Sequence, residues 1–272
     1  MPVGSEPKDA ERGGDEAIIV RDAGARGPYV IVCEHASSVI PPEYDGLGLD
    51  PETALGHIGW DINAVDVASR VARALDAPLV TAPVSRLVID LNRPEVCCEC
   101  IPARSEDVPV PGNADLTAQA REERLARWHR PFHDGLGALL DRRAALGLAT
   151  FLVGIHSFTP VYAGVARPWG AGVLYRASRA QGERVARSMA EASGEKVGCN
   201  QPYDLWKHSN HTIPFHGDGR GLPAVIVEIR NDLLATKAGI ARWADMTVQA
   251  LRACSSEPFN PDDRDALLHV RA

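Results

Sequence analysis

Apolar residues recur along this chain in two alternating rhythms. Unbroken runs such as Tyr29-Val30-Ile31-Val32-Cys33, Phe151-Leu152-Val153-Gly154-Ile155, Ala171-Gly172-Val173-Leu174-Tyr175 and Ala224-Val225-Ile226-Val227 read as strands buried on both faces. Leu79-Val80-Thr81-Ala82, Leu87-Val88-Ile89-Asp90-Leu91 and Lys196-Val197-Gly198-Cys199 predict shorter strands, and residues 18–20 an edge strand or lead-in. Between these runs the apolar positions return every three or four residues. Ile62, Val65, Ala68, Val71, Ala72 and Leu75 line one face of a helix that opens at Asp61. Residues 117–146 keep a helical pattern, with Pro131 predicting a kink or a break into two helices, and residues 179–192 and 236–253 predict two more.

Strands alternating with helices predict an α/β fold: one domain over residues 17–254, with a mostly parallel or mixed sheet flanked by helices. Residues 1–16 are charged and Gly-rich and are expected to be disordered; residues 255–272 are expected to form a weakly ordered tail with a last turn at 263–270. Three stretches carry neither rhythm. Residues 36–59, punctuated by Pro41-Pro42, Gly46 and Gly48, should cover a site, with one helical turn after Asp50. Residues 97–115 read as a long functional loop, and residues 200–221 as a lid or active-site loop.

Charge narrows the partners. A formal net charge of -7 argues against nucleic acid or an anionic membrane, so an anionic small molecule must be met by local arginines. No apolar stretch approaches the ~20 residues of a membrane span, and the amino terminus lacks a signal peptide's apolar core, which points to the cytoplasm. The six cysteines do not form a disulfide framework; Cys97-Cys98-Glu99-Cys100 holds one Cys-x-x-Cys without the second pair a structural zinc site needs. Nothing in the sequence sets the oligomeric state.

Candidate chemistry sits where apolar runs stop. His35 follows the first long run, His156 the second and Glu228 the last, at the carboxyl ends where open α/β sheets keep their crevices. Either histidine alone reads equally as a buried imidazole bonded to backbone; the shared placement favours two ligands of a divalent metal such as Zn2+. The third ligand is Asp61 or Glu34. Asp61 also suits a helix N-cap, and Glu34 points away from His35 unless the chain turns there. Glu228, following four apolar residues, suits a general base with a pKa raised toward neutrality; the alternative is an ion pair with Arg230. Arg93, Asn92, Arg86 and Arg167 are candidates to grip a substrate carboxylate. His129 and His133 have helical metal spacing disturbed by Pro131, so His129 reads as surface and His133 as a lesser site candidate. Among the loop histidines His208, His211 and His216, the last is the best placed to touch substrate, because residues 217–221 are glycine-rich.

Taken in order, Val32-Cys33-Glu34-His35-Ala36-Ser37, Trp60-Asp61, Ser85-Arg86, Ile89-Asp90-Leu91-Asn92-Arg93-Pro94, Pro131-Phe132-His133, Ile155-His156-Ser157-Phe158-Thr159-Pro160, Ala166-Arg167-Pro168-Trp169 and Val227-Glu228-Ile229-Arg230-Asn231-Asp232-Leu233 resemble the N-formylglutamate amidohydrolase family. The resemblance runs from about residue 28 to residue 234. It implies hydrolysis of an N-formyl or N-acyl amino acid such as N-formyl-L-glutamate, and a phosphorylase/hydrolase-like fold related to zinc carboxypeptidases. Similarity to aspartoacylase and those carboxypeptidases implies zinc on His35 and His156, Asn92-Arg93 on the substrate carboxylate and Glu228 as base. The chain departs from them at Ser38, where they carry a glutamate ligand, and from many members of the nearer family at Gln201, where an acidic residue is usual. Two other readings stand beside the amidase: a non-catalytic binder of acylated amino acids, and a carboxypeptidase-like peptidase.

Overall fold

The computed structural model describes residues 16–207 and 209–254. The expected disorder of residues 1–15, the tail with its turn at 263–270, and His208 lie outside the described residues.

In chain order the strands are β1 (Ile19–Arg21), β2 (Tyr29–Cys33), β3 (Leu79–Thr81), β4 (Arg104–Ser105), β5 (Val108–Pro109), β6 (Phe151–Phe158), β7 (Val161–Tyr162), β8 (Val165–Ala166), β9 (Ala171–Leu174), β10 (Val197–Cys199) and β11 (Ala224–Arg230). The helices are α1 (Pro51–Ala54), α2 (Ala64–Ala74), α3 (Ala118–Arg124), α4 (Arg130–Ala145), α5 (Arg179–Ser193) and α6 (Lys237–Cys254). Seven strands form one mixed sheet in the order β1-β3-β2-β6-β11-β9-β10. The central four, β3, β2, β6 and β11, run parallel, while β1 pairs antiparallel to β3, and β9 pairs antiparallel to β11 and parallel to β10. The fold is thus a single α/β unit with a mixed sheet flanked by helices, as the alternating rhythms predict.

Side-chain alternation along the strands builds two cores. Tyr29, Ile31, Val153, Ile155, Val225 and Val227 pack on one face with α2, α5 and α6. Val30, Val32, Leu152 and Ile226 pack on the other with Trp128, Phe132, Leu136 and Leu140 around α4. From β2 the chain goes through α2 to β3 on one side, then through α3 and α4 to β6 on the other. The sheet order therefore reverses between β2 and β6, which opens a crevice at their carboxyl ends. β2 stops pairing with β6 at Val32↔Gly154, whereas β6 and β11 stay paired through Phe158↔Arg230. Those two strands overrun β2 and leave a shelf beside its end.

Three local expectations are corrected. The apolar stretch Leu87–Leu91 is buried but is not a strand: it turns inside the second core. Side chains replace a neighbouring strand there, with Asn113 Nδ2 donating to the Leu87 carbonyl and Arg124 Nη1 to that of Val88. Pro131 does not break the long helix. A π-turn at Leu125–His129 joins α3 to α4, with Arg130 N donating to the Leu125 carbonyl, and this wider turn accommodates the proline ring near the start of α4. The stretch at 97–115 carries the small hairpin β4–β5, and the stretch at 200–221 contains helical turns at Ile213–Gly217 and Asp218–Arg220. No helix among the described residues is long and apolar enough to cross a membrane.

Candidate active site

Each central group reaches the crevice for a local reason. β2 ends at Cys33 and the chain turns at Glu34-His35, which frees both side chains from strand alternation. His156 does not follow its strand, as the apolar run suggests, but lies within β6, and Glu228 lies within β11. The two are register partners, Glu228↔His156, so they stand on the same sheet face one strand apart. Gly172 is the antiparallel partner of Glu228, and a Cβ there would fall 1.7 Å from the Gln201 carbonyl oxygen. Glycine at 172 lets the segment at 200–203 cross the sheet and bring Tyr203 to the pocket.

Asp61 sits just before α2, yet it does not cap it. The helix starts at Ala64 after Asn63, which has a left-handed backbone and makes no side-chain capping bond. The Asp61 carboxylate is thereby released to face both imidazoles: His156 Nδ1 donates to its Oδ2 at 2.8 Å and His35 Nδ1 to the same oxygen at 3.3 Å. The outer nitrogens are also held by carboxylates. His35 Nε2 donates to Asp90 Oδ1 at 2.7 Å, and His156 Nε2 to Glu34 Oε2 at 3.1 Å. Arg86 bridges Asp61 Oδ1 at 3.3 Å and Asp90 Oδ2 at 2.9 Å. His35, Asp61 and His156 each offer one ligand atom within 4.8 Å of the others, whereas Glu34 stands behind His156. Asp61, and not Glu34, joins the two histidines in the group that could hold a metal ion.

Charge decides what this group can hold. Burial alone would push the His156 and His35 imidazoles toward neutrality, but Glu34 and Asp61 around the first, and Asp90 and Asp61 around the second, raise both. Burial likewise opposes ionisation of Glu34, Asp61 and Asp90, and the neighbouring histidines, with Arg86 beside Asp90, outweigh it and hold all three below their ordinary values. Three carboxylates against the Arg86 guanidinium leave two negative charges, with Arg93 matched by Glu99 at 3.1 Å. Two imidazolium protons or one divalent cation balances them. Two nitrogens and a carboxylate oxygen converging, with carboxylates behind the imidazoles, match the donor set of a catalytic divalent-metal site.

Glu228 differs from the other acids. It is buried at the pocket wall, its Oε2 has no hydrogen-bond partner among the described residues, and burial pushes its carboxyl up to about 7. The alternative ion pair with Arg230 does not form: Arg230 Nε donates to Asp232 Oδ1 at 2.7 Å and Nη1 to the Trp169 carbonyl.

Of the groups expected to bind substrate, Arg86, Asn92 and Arg93 line the same pocket as His35, His156 and Glu228. Arg86 is committed to Asp61 and Asp90. Asn92 Oδ1 accepts from the backbone of His211 and Thr212, which braces the 210–212 segment. Arg93 Nε forms a salt bridge to exposed Glu99. Arg167 stands behind the wall, donating to Tyr203 Oη at 2.9 Å with its guanidinium over the Tyr162 and Tyr203 rings. His216 does not reach this pocket; it is buried against His133, with 3.1 Å between His216 Nε2 and His133 Nδ1. His129 is not on the surface but 2 % exposed, because the π-turn rotates it inward. Sequence reasoning missed Asp90, although it belongs to the Asp90-Leu91-Asn92-Arg93-Pro94 motif. It also missed Tyr203 and the His57–Glu106 pair at 2.5 Å, all of which line the pocket. The latter pair carries no signal in the sequence, since the two residues lie on separate irregular segments.

Known proteins share the sequence pattern and the fold. A sequence model described as N-formylglutamate amidohydrolase matches residues 27–235. A solved structure of a gene product from Agrobacterium tumefaciens is similar over 90% of this chain and 97% of its own, at 36% identity and a TM-score of 0.84. An N-formylglutamate amidohydrolase from Ralstonia eutropha JMP134 shares the fold over 88% of this chain and 97% of its own, at 20% identity and a TM-score of 0.64. No functionally curated protein matches the sequence. With the family's match covering most of the chain, this protein belongs to the N-formylglutamate amidohydrolase family and is an enzyme of the amide-hydrolysing class.

Proposed function

We propose that this enzyme is a metal-dependent deacylase that cleaves the amide bond of an N-formyl or N-acyl amino acid, with N-formyl-L-glutamate as the leading substrate. The observation that carries the reading is Glu228, a buried carboxyl with an unpartnered oxygen and a pKa near 7, one strand from His156. His35, Asp61 and His156 would hold a divalent cation, with zinc the first choice for an N2O donor set. When bound there, such a cation supplies Lewis-acid polarisation of a carbonyl and acidification of water. Asp90 and Glu34 orient the two imidazoles through their Nε2 protons.

Glu228 Oε2 takes a proton from the water whose oxygen adds to the acyl carbon. The same carboxyl then gives that proton to the amide nitrogen as the C–N bond breaks, leaving formate, or another carboxylate, and the free amino acid. A group that must accept and release one proton near neutral pH works best with a pKa close to 7, and burial puts Glu228 there. Arg93 is the best supported carboxylate clamp, since its surface partner Glu99 is easily exchanged, whereas Arg86 is held by two buried acids. Tyr203, its phenol pushed up to about 12 by burial, remains a neutral hydroxyl backed by Arg167 at the pocket wall.

A hydrolysis screen over N-formyl and N-acetyl forms of Glu, Asp, His and Gln, with and without chelator, tests this reading. N-formyl-glutamate turnover that chelator abolishes and zinc restores is expected; turnover insensitive to chelator, or none with any of the acyl amino acids, sinks it.

A further inference from the structure

Outside the carboxylate-lined centre lies a second set of histidines that the proposed reaction does not use. His129 and His133 are one helical turn apart where the π-turn meets α4, and His211 is brought against them from the 200–221 segment. The ring centroids of His129 and His133 are 4.5 Å apart, and those of His133 and His211 also 4.5 Å. One nitrogen from each of the three lies within 4.8 Å of the others.

Backbone carbonyls fix the tautomers. His129 Nε2 donates to the Arg93 carbonyl at 2.8 Å, so its lone pair is on Nδ1, which is buried and has no hydrogen-bond partner among the described residues. The Glu95 carboxylate stands 3.7 Å from that atom, and Arg130 also grips it. His133 Nε2 donates to the Leu91 carbonyl at 2.8 Å, so its lone pair is on Nδ1, which accepts from His216 Nε2. His216 Nδ1 is left as a second buried nitrogen without a partner among the described residues. Neutral imidazoles with a backbone carbonyl behind the far nitrogen are the form in which histidine binds a transition metal. Packing alone accounts for stacked rings, but it does not account for a lone pair buried with nothing to meet.

We propose that His129, His133 and His211 form a second divalent-cation site, selective for ions that favour imidazole, such as Zn2+, Co2+ or Ni2+. The cation takes the His133 lone pair from its bond with His216, which makes this the weaker of the two sites. Its role is structural. Leu91, Asn92 and Arg93 are bonded through their backbone or side chains to His133, His211 and His129 respectively. A cation there clamps the segment carrying the Arg93 guanidinium against α4 and the 211–212 turn. The proposal stands independently of a metal on His35, Asp61 and His156.

Metal alone is the probe, on the full chain. Chelator-stripped wild type, His156→Ala, His211→Gln and the double variant are titrated with Co2+ and Zn2+, with bound metal counted by elemental analysis after gel filtration. Circular dichroism and thermal unfolding in chelator check that each variant is folded, and His129→Gln serves if His211→Gln is not. Two ions per wild-type chain, one in each single variant and none in the double variant are expected. A single wild-type ion lost in His211→Gln but kept in His156→Ala also supports the site while refuting the metal of the amidase reading. Equal metal content in wild type and a folded His211→Gln or His129→Gln variant overturns the proposal.

Discussion

Two histidine groups lie on either side of the segment from Asp90 to Arg93, and their chemistry differs because their backing groups differ. His35 and His156 have carboxylates on both ring nitrogens, from Asp61, Asp90 and Glu34, and are pushed toward the imidazolium form. His129 and His133 have backbone carbonyls behind Nε2 and other histidines beside them, with Glu95 3.7 Å from His129 Nδ1, and burial lowers both imidazoles. A carboxylate carries a full charge and a carbonyl only a dipole, so the first group calls for a cation and the second merely tolerates one. Glu228, its carboxyl raised to about 7 by burial, lies beside the charged group. Glu95, the carboxylate beside His129, is instead held below its ordinary value by its bond from Arg130, so the two sides differ in the acid that they keep.

The sharpest way to break this contrast is to remove the raised carboxyl. Glu228→Gln should lower kcat by about 10²-fold or more while bound metal stays unchanged, as read by steady-state kinetics alongside elemental analysis. Unaltered turnover would falsify the base assignment. A smaller effect is expected from the charge behind the imidazole. Asp90→Asn should weaken metal binding at His35 by roughly 10–100-fold in a chelator-competition titration; an unchanged affinity would show that the backing carboxylate is irrelevant to the difference between the groups.

The smallest effect is on stability, and its sign differs between the two sides. Glu228, raised from 4.5 to about 7, favours the folded state fully below the ordinary carboxylate value, and that contribution is lost as pH rises to about 7. In chelator-treated protein, Glu228→Gln should remove a fall of up to about 3 kcal/mol across that window. His216 is depressed from 6.5 to about 4, so its contribution is present above 6.5 and lost as pH falls to about 4. His216→Gln should flatten the stability profile on that acid side, by up to about 3 kcal/mol. Denaturant titrations at stepped pH read both slopes; slopes of the same sign would remove the electrostatic distinction.

What the sequence by itself determined is the frame and the placing of three groups on it. Runs buried on both faces mark central strands, and the 3.6 period marks the helices that cover them, because both patterns record burial, which each residue carries locally. His35, His156 and Glu228, which line one pocket, stand out in the sequence because each interrupts or ends such a run. Partners were not legible. Asp61 faces two imidazoles 26 and 95 positions away instead of capping α2, and Asp90 meets His35 across 55 positions. Leu87–Leu91 has a strand's composition but lies where no neighbouring strand offers a ladder, so Asn113 and Arg124 satisfy its carbonyls. His129 is turned inward by a π-turn that one proline provokes, and His216 is drawn off to His133. These outcomes belong to the tertiary structure alone. Which acid meets which base depends on pairwise energies between distant segments, and no local periodicity carries that information.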